Sequence, residues 1–433
     1  MIGFSHFYRM VVLLYALMLI GGASAGRAQV AGPDALHTAL REATGGETIL
    51  LSGGDYGKLE LIDGHNGARA RFESAVTIAA ADPANPPVFS GVDVRNASNL
   101  AFEGVMFDYT FNPNHPIYFK PFSFRDVENL AIRNVVIDGD LARGVSAAED
   151  GRGWADGLSI IGARNVTVEN VEIARFHRGL LMGGVDRATV RGNDLHSLRM
   201  DGMNFSAVRE VLIEDNLIRD FNRSSLASDH ADMIQFWTSR TTRPSVGVVI
   251  RGNVLNSGLG GATQTIFMRN EMVDQGLAGE EMFYRDIIIE ENVVINGQFH
   301  GITVGETDGL LIRHNTLLRN PAYGPGLEDR DRTVRLPAIN VAAAARRVTI
   351  TDNIAVRFPE AQPGWYVEGN LPVQDVSPMQ PGYYHRLFVG ALTGAPDDLE
   401  NFVYLPAIGE GRPEAQWPGA TLLRPGADRS LFR

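Results

Sequence analysis

Apolar and polar residues alternate through nine short segments: NLAFEGVMF from 99, NLAIRNVVI from 129, NVTVENVEI from 165, RATVRGNDL from 187, EVLIEDNLI from 210, GVVIRGNVL from 247, DIIIEENVV from 286, GLLIRHNTL from 309 and RVTITDNIA from 347. A period of two sends successive side chains to opposite faces of a strand, so each segment predicts a strand with one buried face. Aligned with one another, they place Asn134, Asn170, Asn193, Asn216, Asn253, Asn292, Asn315 and Asn353 in one slot. The successive spacings of 36, 23, 23, 37, 39, 23 and 38 residues read as a coil of about 23 residues with loops inserted into some turns.

A coil this short cannot bury its own apolar face, so it must stack on its neighbours, with equivalent side chains forming ladders. The prediction is an all-β solenoid, a parallel β-helix whose asparagines close one corner. A leucine-rich horseshoe also has an asparagine ladder, but its fixed leucine frame is absent. Residues 33–43, PDALHTALREA, form an amphipathic pattern that predicts a short helix capping the N-terminal end. Residues 358–433 lose the repeat and are rich in Pro and Gly, which predicts an extended cover folded over the C-terminal end. The expected division is a leader over 1–28, the capped β-helix over 29–357 and this cover over 358–433.

The GETILLSGGDYG stretch and the asparagine coils, across roughly residues 34–357, resemble the right-handed parallel β-helix superfamily of pectate-lyase-like proteins. That superfamily includes alginate lyases and alginate C5-epimerases. The resemblance implies the scaffold; activity has to be argued from a site, since one scaffold carries many chemistries.

A second strand precedes each asparagine segment: KPFSFR, DGLSII, RGLLMG, DGMNFS, DMIQFW, QTIFMR, HGITVG and PAINVA. Its apolar column of Phe124, Ile160, Met182, Phe205, Phe236, Met268 and Val304 must point inward, so the columns on either side face out. One of these reads Lys120, Asp156, Arg178, Asp201, Asp232, Gln264, His300, and the next reads Ser123, Ser159, Leu181, Asn204, Gln235, Phe267, Thr303. Inserted loops over 140–154, 219–230, 239–244, 270–282 and 321–335 flank this strand, which marks its outer face as a groove.

The stretch SDHADMIQFW (228–237) lies near the middle of that face. Arg199 and His230, and beside them Asp201 and Asp232, fall in adjacent coils and are expected to stack. Two carboxylates one strand spacing apart repel unless one is protonated, a cation intervenes or arginine compensates, with Arg223 a loop candidate for the last. Abstraction of the C5 proton of a uronate needs a base, a group to hold the carboxylate and donors for the developing charge. His230 is the candidate base because imidazole titrates near neutrality. Arg199 is expected to hold the carboxylate, with Arg269 and Arg178 as further cations. Asn204 and Gln235 are expected as donors, and Trp237 and His300 as sugar contacts. His300, His196 and His177 are weaker candidates for the base, since a lone histidine is more often a satisfied polar residue at a turn than a catalyst. DHAD (229–232) is similar to the Asp-Pro-His-Asp tetrad of alginate epimerases, but the proline is missing and the histidine sits one place earlier. No role carries over on that match.

The expected function is therefore a polysaccharide lyase acting on an alginate-like or other acidic exopolysaccharide. Alternatives are a mannuronan-type C5-epimerase, a glycosidase using an aspartate pair, or a carbohydrate-binding β-helix without catalysis. For a glycosidase, Asp201 and Asp232 suit a retaining pair, and Asp156 and Asp201, roughly 9.6 Å apart, an inverting one. Calcium is a candidate cofactor, with Asp201 and Asp232 as metal ligands and Asn204 a third oxygen.

Composition narrows the setting. Arg9, the run VVLLYALMLI and the small residues GGASAGRAQ have the order of a secretory signal. Removing residues 1–28 takes away Arg9 and Arg27 and no acid, so the formal charge passes from −12 to −14. Such an acidic chain excludes a broadly basic nucleic-acid surface. The absence of cysteine means that burial and backbone ladders alone must stabilise an exported protein. The expectation is a periplasmic or secreted monomer, off the membrane once the signal is cleaved.

Overall fold

The computed structural model describes residues 28–432 apart from 228, 260–262, 324–335, 392, 396 and 406–416. Most of the expected leader, and the wall loop beyond residue 323, lie outside the described residues. Each turn of the chain lays down three strands. One such turn runs Asp156–Ile161, Arg164–Glu169 and Glu172–Ala174, after which Arg178–Gly183 pairs in parallel with the first strand. Repetition builds parallel sheets of 13, 10 and 12 strands, in which successive coils are neighbours throughout. This is a parallel β-helix.

The corners explain much of the local sequence. Between the second and third strands the chain turns at a residue with positive φ, at Asn170 (52°), Gly192 (64°), Asp215 (53°) and Gly252 (65°). Glycine reaches this region freely, and Asn and Asp tolerate it because their short polar side chains bond locally. The next residue opens the buried ladder. Asn193, Asn216, Asn253, Asn292, Asn315 and Asn353 each donate Nδ2 to the Oδ1 of the following asparagine at 2.8–2.9 Å, and the ladder ends on Asn370. Asn134 and Asn170 do not belong to it. They occupy the positive-φ corner one position earlier, and Val171 takes the ladder slot, its N–H donating to Asn193 Oδ1 at 2.9 Å.

The expected inward column is the core: Phe124, Ile160, Met182, Phe205, Phe236, Met268 and Val304 are each at most 1% exposed. Phe205 and Phe236 stack with ring centroids 4.9 Å apart. Each buried ring contributes about 1.5–3 kcal/mol relative to exposure. The helix Pro33–Glu42 seals the N-terminal end by burying Leu36 and Leu40 in the same core. On the outer face of the 13-stranded sheet, Glu103, Arg133, Glu169, Arg191, Glu214, Arg251, Glu290 and Arg313 follow one another in register. Opposite charges across every step favour the native stacking and penalise a slip by one coil.

The C-terminal segment departs from expectation. Tyr366–Glu368 and Leu371–Pro372 continue the sheets, so the repeat reaches Asn370. Phe358, Trp365 and Val367 pack on the core at its end. The remainder runs along the flank: Tyr384, Phe388, Phe402, Tyr404 and Leu423 form a second apolar cluster with Val254, Val293, Ile295, Leu318 and Ile354 of the 12-stranded sheet. The cover therefore lies beside the helix as well as over its end. It leaves the 10-stranded sheet to the loops.

Candidate functional site

The outer column of the 10-stranded sheet runs in register through Ser123, Ser159, Leu181, Asn204, Gln235, Phe267, Thr303 and Asn340. Its first four members are buried and the last four are partly exposed. At the buried end the wall segments lean on one another: Trp154 donates Nε1 to the carbonyl of His115 at 3.0 Å, and Asp156 donates its N–H to the carbonyl of Phe119 at 2.7 Å. The accessible groove therefore lies over Ala231–Trp237, Thr263–Met268, His300–Val304 and Ala338–Val341. Asn270 and Glu271 brace its far wall, where Thr238 donates N–H to Glu271 Oε2 at 2.8 Å and Oγ1 to Asn270 Oδ1 at 2.9 Å.

Asp201 and Asp232 stack as expected, but beneath the surface, at 1% and 0% exposure. Asp201 Oδ1 accepts the N–H of Asp232 at 3.0 Å, and its Oδ2 accepts Asn204 Nδ2 at 2.9 Å. Asp232 Oδ2 accepts Gln235 Nε2 at 2.8 Å, while its Oδ1 is buried with no hydrogen-bond partner. Burial pushes the Asp201 carboxyl up to about 6 against the opposing bond from Asn204. Burial and the charge of Asp201 push Asp232 well above the carboxylate range. A proton held by Asp232 removes the repulsion and suits its unpartnered Oδ1.

These contacts revise several expectations. Asn204 spends its amide hydrogens on Asp201 and, at 2.9 Å, on Gln235 Oε1, and Gln235 spends one on Asp232. The two amides lock the aspartates and do not reach substrate as a donor pair. Arg199 is 3% exposed: its Nη1 meets Asp229 Oδ2 at 2.7 Å, and its Nη2 meets Glu149 Oε1 at 2.9 Å. It ties two wall loops together and cannot also hold a substrate carboxylate. Arg178 grips Asp156 with two bonds of 2.9 Å, and His177 Nδ1 lies 3.3 Å from the same carboxylate. That consumes Asp156 as one member of an inverting pair. His196 lies on the 12-stranded sheet, away from this face, with Nε2 3.2 Å from Glu172 Oε1.

The groove carries His230, Phe267 and His300 from three successive coils. The rings of His230 and Phe267 are 6.4 Å apart and those of Phe267 and His300 5.3 Å, both edge-to-face. The His230 side chain is 54% exposed, with Nε2 3.4 Å from Asp232 Oδ2. Burial first, then the Arg223 and Arg269 charges, hold its imidazole below the ordinary 6.5, against the pull of Asp229. Burial and the neighbouring His230 lower His300 likewise. Arg269 is half exposed and bonded through Nε to Asp274 at 2.7 Å, and Trp237 is partly exposed beside Ser206 of the preceding coil.

The residues do not fit calcium between the aspartates. Three of their four carboxylate oxygens already accept protein hydrogen bonds, leaving Asp232 Oδ1 and the unpartnered Asn204 Oδ1 where calcium takes six to eight oxygens. Among the described residues no group of three or more His, Cys, Asp or Glu could hold a metal ion.

The family described as "Right handed beta helix region" matches residues 124–355, more than half of the chain. The chain belongs to the right-handed β-helix family. No curated protein sequence matches it. Similar solved structures include a PL6 family alginate lyase, AlyGC, with TM-score 0.46 and 14% identity over 94% of this chain and 58% of that one. The Dettilon tailspike protein gives 0.49 and 14% over 81% and 63%. The A-module of the Azotobacter vinelandii mannuronan C-5 epimerase AlgE6 gives 0.34 and 14% over 79% and 94%. This β-helix spans about three fifths of the length of the first two. Among its described residues no helix is long and apolar enough to cross a membrane.

Some of the groove escaped the sequence reading. Phe267 and Thr303 stand in the outer column but were given no role, and Asn340 continues it. Arg357, which donates Nη2 to Asn340 Oδ1 at 3.4 Å, comes from beyond the last full coil and carries no signal in the repeat.

Proposed function

We propose that this protein is a polysaccharide lyase in which His230 removes the C5 proton of a uronate residue and the 4-linked sugar leaves by β-elimination. The observation that carries the reading is His230 itself, an accessible imidazole on the loop-flanked face with Nε2 3.4 Å from the buried Asp232 carboxyl. In this reading Asp232 carries its proton on Oδ1, and Oδ2, 3.4 Å from His230 Nε2, takes the Nε2–H when that contact shortens to a hydrogen bond, which leaves the Nδ1 lone pair as the base. The C5–H pair passes into the carboxylate, then into a C4–C5 double bond. The C4–O4 bond breaks, and O4 takes a proton from water at the exposed groove.

Arg269, whose charge acts on His230, replaces Arg199 as the cation for the substrate carboxylate. Trp237 offers a face for a sugar ring. Hydrolysis by the aspartate pair fits less well, since both carboxyls lie under the surface and a glycosidase needs both in contact with the scissile bond. Epimerisation begins with the same proton abstraction, so the product must separate the two.

The test is incubation with alginate and other uronate polymers. Ultraviolet absorbance from an unsaturated uronate, lost in His230→Ala, supports the lyase. Altered uronate composition without chain cleavage moves the assignment to epimerisation, and reducing ends without absorbance move it to hydrolysis.

A further inference from the structure

With both amide hydrogens of Asn204 and one of Gln235 given to protein acceptors, the charge that develops on the substrate carboxylate calls for a further donor. We infer that His300 is that donor, a neutral imidazole presenting Nε2–H to the groove, with its tautomer fixed by a relay from Arg357 through Asn340 and Thr303. The assignment rests on the proposed proton abstraction, whereas the chain of contacts from Arg357 to His300 stands apart from it.

Arg357 is the fixed end. A guanidinium has only donors, so the Asn340 amide must turn Oδ1 towards it, and the Nη2 to Oδ1 distance is 3.4 Å. Arg357 is held there by Phe299, whose ring centroid lies 4.7 Å from the guanidinium carbon. Asn340 Nδ2 then faces Thr303 and donates to Oγ1 at 3.3 Å. Thr303 Oγ1 also lies 2.9 Å from His300 Nδ1, and the relay assigns its one hydroxyl hydrogen to that nitrogen, since the hydroxyl has no other acceptor in the chain of bonds. An Nδ1 that accepts carries no proton, which puts the hydrogen on Nε2.

The two groove histidines thus take opposite parts across Phe267. In this assignment His230, with Nε2 3.4 Å from Asp232, offers a lone pair, while His300, with Nδ1 2.9 Å from Thr303, offers a hydrogen. A neutral imidazole serves here as a hydrogen-bond donor to an enolate-like oxygen, with no proton transferred and none to replace. Burial of His300 and the proximity of His230 favour that neutral form.

The test is NMR on His230→Ala labelled with ¹⁵N-histidine and ¹⁵N-tryptophan, a variant in which the proposed mechanism leaves turnover slow. The expected spectrum shows His300 as the Nε2–H tautomer. Asn340→Asp presents only acceptors to Thr303, so it should draw the hydroxyl hydrogen away and switch His300 to Nδ1–H. An Nδ1–H tautomer without the second substitution, or one indifferent to Asn340→Asp, overturns the relay. Adding an oligomannuronate should shift the His300 Nε2–H resonance. A sugar that shifts Trp237 but not His300 overturns the donor role, and one that shifts neither overturns the uronate reading while leaving the tautomer result intact. In the wild-type background, His300→Ala should lower kcat about 10²–10³-fold, the usual loss for one preorganised donor.

Discussion

Asp232 donates its backbone N–H to Oδ1 of Asp201 in the preceding coil at 3.0 Å, so one carboxylate is seated on the strand that carries the other. Asp201 is thereby required as an acceptor, and the proton the pair retains belongs on Asp232. The burial that makes the pair costly also places a carboxyl that is not a full anion 3.4 Å from His230 Nε2.

The pair makes stability depend on pH. Both folded carboxyls titrate above the unfolded value near 3.9, so the native state holds protons that the unfolded chain releases. Their contribution is complete below about pH 4 and is lost as pH rises through about 6 and beyond. Asp232→Asn mimics the protonated form and escapes this loss. Its melting temperature relative to wild type should climb steadily between pH 4 and 8; parallel curves would mean that Asp232 is ionised in the native protein.

Catalysis should have a low acid limb. Because His230 is held below 6.5, kcat/KM should stay high to a pH below that value. Arg269→Ala removes a like charge and should shift the limb upwards while raising KM for the polymer. A limb that does not move in this variant separates Arg269 from the base.

Substitution of His230 by alanine should reduce turnover about 10²–10⁴-fold, the span associated with a general base. Polymer affinity, read by calorimetry, should change little. Full turnover in this variant would pass the role of base to another groove residue.

Arg199→Ala should act on folding before chemistry. It leaves Glu149 and Asp229 facing each other without their shared guanidinium, and loss of one partner of a buried pair costs about 3–5 kcal/mol. The partial exposure of both acids places the expected loss at the low end. Urea unfolding checks this, and unchanged stability with a raised KM would restore Arg199 to a substrate contact.

Asparagines that look alike in the repeat should differ sharply. Asn253 is fully buried and donates to Ile213 O, Arg251 O and Asn292 Oδ1 while its own Oδ1 serves Asn216. Each buried group left unpaired costs about 1–3 kcal/mol, so Asn253→Ala should lose at least about 3 kcal/mol. Asn134 lies at an exposed corner, and Asn134→Gly, which keeps the positive φ accessible, should cost less than about 1 kcal/mol. Equal losses in denaturant midpoints would contradict the register.

The strand period, the inward column from Phe124 to Val304 and the ladder from Asn193 to Asn353 were legible because stacking forces equivalent side chains into equivalent places. The error at Asn134 and Asn170 has a physical source. Two adjacent slots favour asparagine, one for its tolerance of positive φ and the other for its amide bonds, and the letter alone does not say which is filled. Asn370 was missed because the segments that would frame it are too short to show alternation.

The sequence by itself determined the solenoid, the face that looks outward and the stacking of Asp201 on Asp232, since each follows from a repeat that each coil imposes on the next. Tertiary structure decided which outward side chains are available. Glu149 reaches Arg199 from fifty residues earlier in the chain, and Arg357 fixes Asn340 from beyond the last full coil. Such partners come from loops and ends whose paths no periodicity constrains, and a charged or amide group has only so many hydrogen bonds to give. Arg199 and Asn204 are committed to protein partners and Gln235 in part, which is why the proposed chemistry is assigned to His230 and His300.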